Sequence, residues 1–230
     1  FKVIEPVMYN TFKKFSKKKI AEYPFPRITY KDAMLKYGSD KPDLRNPLYI
    51  IDLSEFFSRC TFKPFIGRTV RAIKVSGHMS KGFHEKMLEY AMKIGMKGLG
   101  YLEVQEDLSY KGPIDKFIPE ELKKELISLA KLEKNDTIFF IADSEKRATE
   151  LAGQIRTELG KRLDLIDEDV FKFCWIIDFP MFELDDHEKL AFSHNPFSMP
   201  QGGLDALEHQ NPLDILAYQY DIVCNGIELS

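Results

Sequence analysis

The stretch from about residue 50 to residue 163 constrains the fold most, because strand-like and helix-like runs alternate along it. Apolar runs rich in β-branched residues predict strands at residues 69–75, 99–104 and 137–142. Each helical run follows residue types that favour a helix N-terminus, namely Ser80, Pro119, and Asp143 or Ser144. This alternation predicts an α/β layer structure, in which helices cover a sheet.

The sequence before this stretch predicts part of another domain. An apolar stripe at helical spacing predicts a first helix, formed by Phe1, Ile4, Val7, Met8, Phe12 and Phe15. A helix that starts at residue 1 without a capping residue indicates a chain cut from a longer one. Thr29 is a candidate cap for a short helix through Tyr37. The turn formers and charges of residues 38–47 indicate a connector, and we place a domain boundary there.

The last third of the chain predicts a strand, a hairpin, a loop and a helix. Residues 171–179 are aromatic and β-branched, which suits a central strand. A polar hairpin tip is predicted at residues 185–189, and a loop rich in proline, glycine and asparagine at residues 193–203. An apolar stripe predicts a helix over residues 211–224, ended by Asn225-Gly226.

The charge balance and the cysteines exclude several classes of protein. The 33 basic and 36 acidic side chains nearly cancel, so no overall field attracts the chain to nucleic acid, and any RNA contact must be local. The three cysteines are far apart and form neither a disulfide framework nor a paired-thiolate zinc site, which favours a reducing cytoplasm. No apolar run approaches the roughly 20 residues that span a bilayer, so we expect no membrane association.

Two acidic residues are candidates for a metal site. Asp221 lies in the final turn of the predicted helix, where a carboxylate faces the negative end of the helix dipole and local stability does not explain it. Glu228 follows just past the Asn225-Gly226 turn. Two carboxylates at such a corner suit hydrated Mg²⁺ that bridges nucleotide phosphates, although two unrelated surface acids explain the spacing equally well.

His194 is the third candidate. It lies in a proline-bounded loop after an apolar strand, where side chains often face a ligand, although a loop histidine is more often exposed or capping. The five histidines have no metal-ligand spacing among themselves or with the cysteines, so no zinc site is expected.

Five strings of sequence resemble bacterial-type aspartyl-tRNA synthetases. They are FPRITY at residues 25–30, YGSDKPDLR at 37–45, WIIDFPMFE at 175–183, NPF at 195–197 and YDIVCNGIE at 220–228. The resemblance runs from one end of the chain to the other, and long collinear strings are far more specific than a short motif.

The resemblance implies a class II synthetase whose antiparallel catalytic sheet is interrupted by a GAD domain, an α/β insertion also found in a subunit of tRNA-dependent amidotransferases. The fold class would then be α/β or α+β. We expect residues 1–36 to flank the catalytic domain, residues 37–165 to hold the GAD domain, and residues 166–230 to return to the catalytic domain. The strings at 193–197 and 220–228 match catalytic-domain segments, which argues against an amidotransferase subunit.

The resemblance also implies a reaction, in which aspartate is activated with ATP and then transferred to tRNA. It assigns aspartate binding to His194, ATP binding to Glu228, and Mg²⁺ binding to Asp221 and Glu228, with no catalytic nucleophile. Many relatives carry a second histidine where this chain has Asn195. The parent enzyme is expected to be a cytoplasmic homodimer.

The family's anticodon-binding domain and its arginine-bearing motifs are not in these 230 residues. We therefore predict that the chain alone does not charge tRNA and holds no cofactor tightly. The alternative is a non-catalytic module whose GAD domain binds tRNA or a partner protein. Binding of tRNA that falls steeply with salt would favour that alternative.

Overall fold

The computed structural model describes residues 1–185 and 187–230. Within them the chain divides into two compact units. Unit 1 comprises Phe1–Met34, Asp40–Asn46 and Ile166–Ser230, and unit 2 comprises Leu35–Ser39 and Pro47–Leu165. Unit 1 is therefore assembled from three separate segments of sequence.

Helices and strands follow one another along both units. The α-helices are α1 (Ile4–Phe15), α2 (Tyr30–Tyr37), α3 (Ser54–Ser58), α4 (Lys81–Lys93), α5 (Glu120–Ala130), α6 (Glu145–Arg162) and α7 (Gly203–His209). The strands are β1 (Lys19–Ile20), β2 (Arg27–Thr29), β3 (Ile50–Asp52), β4 (Thr69–Val75), β5 (Gly100–Val104), β6 (Tyr110–Lys111), β7 (Thr137–Asp143), β8 (Val170–Phe171), β9 (Phe173–Pro180), β10 (Phe182–Leu184), β11 (Leu190–Phe192), β12 (Leu216–Cys224) and β13 (Ile227–Glu228). None of the helices in the described residues is long and apolar enough to cross a membrane.

Unit 2 is built on a five-stranded antiparallel sheet with the strand order β3-β4-β7-β5-β6. Successive residues of a strand point to opposite faces, so β4 and β7 supply two separate cores. Ala72 and Phe140 pack with α3 and α5, whereas Ile73 and Phe139 pack with α4 and α6. The predicted α/β layer structure is confirmed, and its sheet is antiparallel.

Polar residues begin the helices largely as the sequence predicts. The hydroxyl of Ser80 accepts a hydrogen bond from the backbone N–H three residues later, 3.2 Å away, and Thr29 does the same for α2 at 3.1 Å. Ser144 precedes α6 but makes no capping bond with its side chain. The carboxylate of Asp143 accepts from the backbone N–H of Ser144 instead, at 2.8 Å.

Two glycine backbones make a close contact inside unit 2. Gly38 has a φ of +69°, and a Cβ added there would lie 2.6 Å from backbone atoms of Gly153 and Thr149. A Cβ added to Gly153, in α6, would lie 2.4 Å from the carbonyl oxygen of Gly38. Only glycine fits at either position without a shift of the backbone.

A buried arginine lies on β4, next to the edge strand β3 of the same sheet. Arg71 on β4 is buried and forms an ion pair with the half-exposed carboxylate of Asp52 on β3. Burial raises the pKa of Asp52, but hydrogen bonds from Ser54 and Arg71 outweigh that effect and hold the pKa below its ordinary value of 3.8. The charge of Asp52 is therefore favoured in the folded chain.

Unit 1 contains a four-stranded sheet with the order β13-β12-β9-β2. The strand β2 runs parallel to β9, and the other neighbours are antiparallel. Trp175 and Ile222 belong to the core against which α1 packs, and Ile176 and Val223 belong to a second core. The predicted central strand at residues 171–179 is confirmed by β9 and the short strand β8 before it.

The first helix is confirmed, but its predicted apolar stripe is only partly buried. Phe12 packs against the core, whereas Val7 and Phe15 are 56% and 78% exposed. The buried residue of α1 is Glu5, whose carboxylate accepts a hydrogen bond of 2.8 Å from the indole Nε1–H of Trp175. A polar contact therefore anchors α1 where the sequence pattern predicted only apolar ones.

The helix predicted over residues 211–224 is wrong. Asn211 caps a short 3-10 turn at Pro212–Asp214, and β12 then pairs with β9 along its length. The register shifts between Ala217 and Tyr220, so the alternation of buried and exposed residues is broken there. Asp221 consequently lies on a strand and not in the last turn of a helix.

The predicted hairpin is confirmed by β10 and β11, which pair in antiparallel fashion. Its predicted tip at residues 185–189 includes Asp186, which lies outside the described residues. The predicted loop at residues 193–203 is confirmed up to Gly203, where α7 begins.

Candidate active-site residues

A tight hairpin sets the relative position of Asp221 and Glu228. Asn225 and Gly226 have φ values of +52° and +81°, as expected of the Asn-Gly turns that join adjacent antiparallel strands. The turn pairs Glu228 with Val223, two residues beyond Asp221 on β12. The two acidic side chains therefore lie on the same face of the sheet. The structure brings both carboxylates together at a strand hairpin, where the sequence pattern predicted a helix-to-strand corner.

The side chain of Asn225 fixes this turn to the rest of unit 1. Its Oδ1 accepts a hydrogen bond of 2.9 Å from the backbone N–H of Lys172, and its Nδ2 donates to the carbonyl of Val170 at 3.0 Å. On the other side, a Cβ added to Gly226 would lie 3.2 Å from the Cβ of Asp43. The turn is thus held on two sides, which limits how far Glu228 can move from Asp221.

Lys41 lies against the same carboxylates. Its Nζ is 2.9 Å from Oδ2 of Asp40 and 3.1 Å from Oε2 of Glu228. Burial lowers the pKa of Lys41, but hydrogen bonds to these two carboxylates outweigh burial and raise the pKa above its ordinary value of 10.5. The ammonium group therefore stays charged at neutral pH.

Asp221 is the most buried acid of this group, with 8% of its surface exposed. Burial raises the pKa of Asp221, and the negative charge of Glu228 raises it further, while Lys41 offsets part of the effect. The carboxylates repel one another, so a cation near them is electrostatically favoured.

The two carboxylates match, in number and type, the ligands that a protein usually contributes to a Mg²⁺ site. Mg²⁺ in nucleotide sites usually keeps several waters and takes one or two carboxylates together with substrate phosphates. Among the residues that the structure describes, no three His, Cys, Asp or Glu side chains are grouped to hold a metal. Asp221 and Glu228 are therefore two ligands at most, and any further ligands of such an ion would come from water or a bound molecule.

His194 follows β11 and its side chain is exposed, but neighbouring aromatic rings hold its imidazole ring. The ring packs edge-on against Tyr30 and Phe179, with centroid distances of 5.2 and 4.9 Å. Asn195 turns its side chain back on the loop, where Oδ1 accepts from the backbone N–H of Phe197 at 3.0 Å. In the described part of the chain, no hydrogen bond or ring contact joins His194 to the two carboxylates.

Two further residues hold the loop at residues 193–203, and the sequence analysis missed both. Asp178 has a φ of +57° within β9, opposite the bulge of β12. The Nε2 of Gln201 donates to Oδ1 of Asp178 at 2.7 Å and to the carbonyl of Ala217 at 3.3 Å. The strained backbone of Asp178 lies inside a strand, and nothing in the neighbouring residue types marks that position. The sequence therefore contained no indication of this contact.

Comparison with known proteins identifies the class. The family of tRNA synthetases class II (D, K and N) matches residues 1–230. Since the match covers the whole chain, the chain belongs to this family of class II synthetases.

Within that family, several relatives with a named activity are similar to this chain along its whole length. Proteins named aspartate–tRNA(Asp/Asn) ligase from Ehrlichia chaffeensis and Anaplasma phagocytophilum are 55% and 53% identical over all of this chain. The protein of that name from Wolbachia pipientis wMel is 52% identical. The chain spans 40% of the length of these relatives. The resemblance to aspartyl-tRNA synthetases is confirmed.

Proposed function

We propose that the chain is part of an aspartate–tRNA ligase, which activates aspartate with ATP to aspartyl-adenylate and transfers the aspartyl group to tRNA. The observation that carries this proposal is 55% identity along the whole chain with a relative named aspartate–tRNA(Asp/Asn) ligase. The mixed α/β fold, whose two larger sheets are mainly antiparallel, agrees with a class II synthetase.

Asp221 and Glu228 are, in this proposal, the protein ligands of the Mg²⁺ that accompanies ATP, and Glu228 also contacts the nucleotide. Mg²⁺ supplies positive charge that offsets the charge of the phosphates. The contribution of this chain is to hold the two carboxylates on one face of the β12–β13 hairpin. Both reaction steps depend mainly on positioning and charge stabilisation, so they require no nucleophilic side chain.

His194 would bind the carboxylate of the substrate aspartate. Its ring is exposed to a ligand yet held edge-on by Tyr30 and Phe179, and an imidazole N–H donates to a carboxylate. The Oδ1 of Asn195 accepts a hydrogen bond within the loop, whereas the ring of His194 makes ring contacts only, which supports His194 for this contact.

The domain organisation is part of the same proposal. Residues 37–165 would hold the GAD domain, which is supported by the layered sheet and helices of unit 2. Residues 1–36 and 166–230 would belong to the catalytic domain, whose partners are tRNA, aspartate and a second copy of the parent enzyme.

A chimera tests the proposed function. This chain would replace the matching segment of the Ehrlichia chaffeensis relative, and aspartate-dependent ATP–pyrophosphate exchange would be measured. We expect exchange by the chimera. We expect Asp221→Asn to lower its kcat/KM for ATP by roughly a hundredfold, because one of the two carboxylates that would hold the charge-stabilising Mg²⁺ is lost.

His194→Ala in the chimera should raise the KM for aspartate and affect the KM for ATP much less. Lys31→Ala, on the exposed side of α2, is the matched control and should leave the exchange unchanged. A folded chimera without exchange, or one that does not respond to Asp221→Asn, contradicts the proposal. The 230 residues alone should show no exchange above background, since they span only 40% of the relatives' length.

A further inference from the structure

We propose that Lys41 is an internal counter-cation for Asp40, Asp221 and Glu228, and that it keeps a free divalent cation away from these carboxylates. The inference rests on the proposed function, because it takes Asp221 and Glu228 as the carboxylates that bind the cation. It adds a residue from residues 38–47, a segment that was predicted to be a connector and to which no site residue was assigned.

The position of the ammonium group carries the inference. The Nζ of Lys41 is within 3.1 Å of carboxylate oxygens from both Asp40 and Glu228, which come from distant parts of the sequence. A cation that used an oxygen of Glu228 would compete with Nζ for it. The ammonium group thus stands in for a metal ion between two acidic side chains.

The charges around Lys41 show why a counter-cation is needed. Three carboxylates lie in this part of unit 1, because Asp40 and Glu228 both contact the ammonium group of Lys41 and Asp221 shares a sheet face with Glu228. Removal of the ammonium group leaves three negative charges without this partner. The cluster should then attract a divalent cation more strongly.

The chain just after Lys41 is held in place by two basic side chains, which fixes the point from which the side chain of Lys41 extends. Arg45 binds both carboxylate oxygens of Asp43 at 2.8 to 3.0 Å, and it also contacts Glu168. The Nζ of Lys172 donates to the carbonyl of Leu44 at 3.2 Å. Because Arg45 is bonded to Asp43 and Glu168, Lys41 is the basic residue of segment 40–46 whose side chain contacts Glu228.

The ammonium group of Lys41 is also able to leave the carboxylates when a cation displaces it. Its side chain is 38% exposed, and a lysine ammonium sits on a flexible four-carbon stem. When a divalent cation arrives bound to nucleotide phosphates, those phosphates offer the displaced ammonium group a new anionic partner. A free ion brings no such partner, so Lys41 favours entry of the ion together with the nucleotide.

Binding of Mn²⁺ to the 230-residue chain tests the inference, with the affinity measured by electron paramagnetic resonance. We expect Lys41→Met to bind Mn²⁺ at least about fivefold more tightly than the wild type, since a neighbouring positive charge has been removed. Lys41→Arg keeps the charge and should stay within about twofold of the wild type. Lys31→Met is the matched control, and Asp221→Asn added to Lys41→Met should cancel the gain.

Equal affinities of Lys41→Met and Lys31→Met would overturn the inference, as would the lack of Mn²⁺ binding by Lys41→Met at millimolar concentration. If circular dichroism shows that Lys41→Met does not fold, the wild-type chain with ¹³C-labelled lysine side chains supplies the test. Titration with free Mg²⁺ to millimolar concentration should then leave the Cε signals of both Lys41 and Lys31 unchanged. A shift of the Lys41 signal alone would show that a free ion displaces the ammonium group, and it refutes the inference.

The two proposals fail separately. An inactive chimera together with a tighter-binding Lys41→Met chain would overturn the ligase proposal and leave the counter-cation intact. An active chimera together with an unchanged Mn²⁺ affinity would overturn only the role of Lys41.

Discussion

Replacement of Gly153 by alanine should destabilise unit 2, although alanine is the better helix former. In a helix interior, alanine is favoured over glycine by about 0.5–1 kcal/mol. The new Cβ, however, would lie 2.4 Å from the carbonyl oxygen and 2.9 Å from the carbonyl carbon of Gly38. The obstacle is backbone and must move by about 1 Å, so we take the upper end of the overpacking cost of about 1–3 kcal/mol. The net loss is then about 2 kcal/mol.

Hydrogen exchange of the amides in α6 is the appropriate assay, because the one tryptophan, Trp175, lies in unit 1 and does not report on unit 2. Gly82→Ala in α4 is the matched control, since a Cβ there meets nothing within 4 Å. The control should be as stable as the wild type or more stable, by up to about 1 kcal/mol. Protection of α6 in Gly153→Ala that equals or exceeds the wild-type value, with the control behaving as stated, would refute the steric argument.

Three other substitutions test contacts described above. Glu5→Leu removes the acceptor of the Trp175 indole N–H and should cost unit 1 about 1–3 kcal/mol in tryptophan-monitored urea unfolding, whereas Glu5→Gln keeps an acceptor and should cost less. Asp52 has a lowered folded pKa, so its contribution is complete above about pH 4 and is lost as the pH falls through that pKa. Asp52→Asn should therefore be less stable than the wild type at neutral pH, and the gap should close on acidification; a constant gap contradicts the role of Arg71. Gln201→Ala should speed hydrogen exchange in the loop that contains His194 without altering β9, and unchanged loop exchange would exclude the anchoring role.

Unit 2 was largely predictable because its local signals agree with its tertiary structure. The run at residues 69–75 matches β4 residue for residue, and Ser80 caps α4 as its position before an apolar face indicates. Each strand there alternates between two cores, and each helix buries one face. The residues that the apolar sequence pattern assigns to the core of unit 2 are therefore largely the residues that are buried there.

The strand β12 was not predictable in the same way, for a physical reason. Its second half is buried on both faces and its first half is bulged, so the two-residue period disappears. The apolar residues that remain happen to fit helical spacing: Leu213, Leu216, Ala217, Tyr220, Val223 and Cys224. Two signals pointed to a strand, namely the β-branched and aromatic residue types and the Asn-Gly pair, which is a strong indicator of a hairpin.

The candidate site was predictable only in part. The order of residues along the chain placed Glu228 just after the turn that follows Asp221, and the resemblance assigned both a role. Lys41 precedes Asp221 by 180 positions, and only the folding of residues 40–46 into unit 1 brings it to Glu228. Contacts over such a separation leave no trace in local residue patterns.

The bond between Glu5 and Trp175 joins residues 170 positions apart, which has a consequence for the synthesis of the protein. At about 5–20 residues per second, α1 leaves the ribosome roughly 10–30 seconds before β9 exists. Throughout that interval its carboxylate has no indole partner, and Phe12 has no core to enter. The residues of unit 2 are made meanwhile, and their sheet needs nothing from β9. The sheet of unit 2 is thus expected to form before the carboxylate of Glu5 meets its partner on β9.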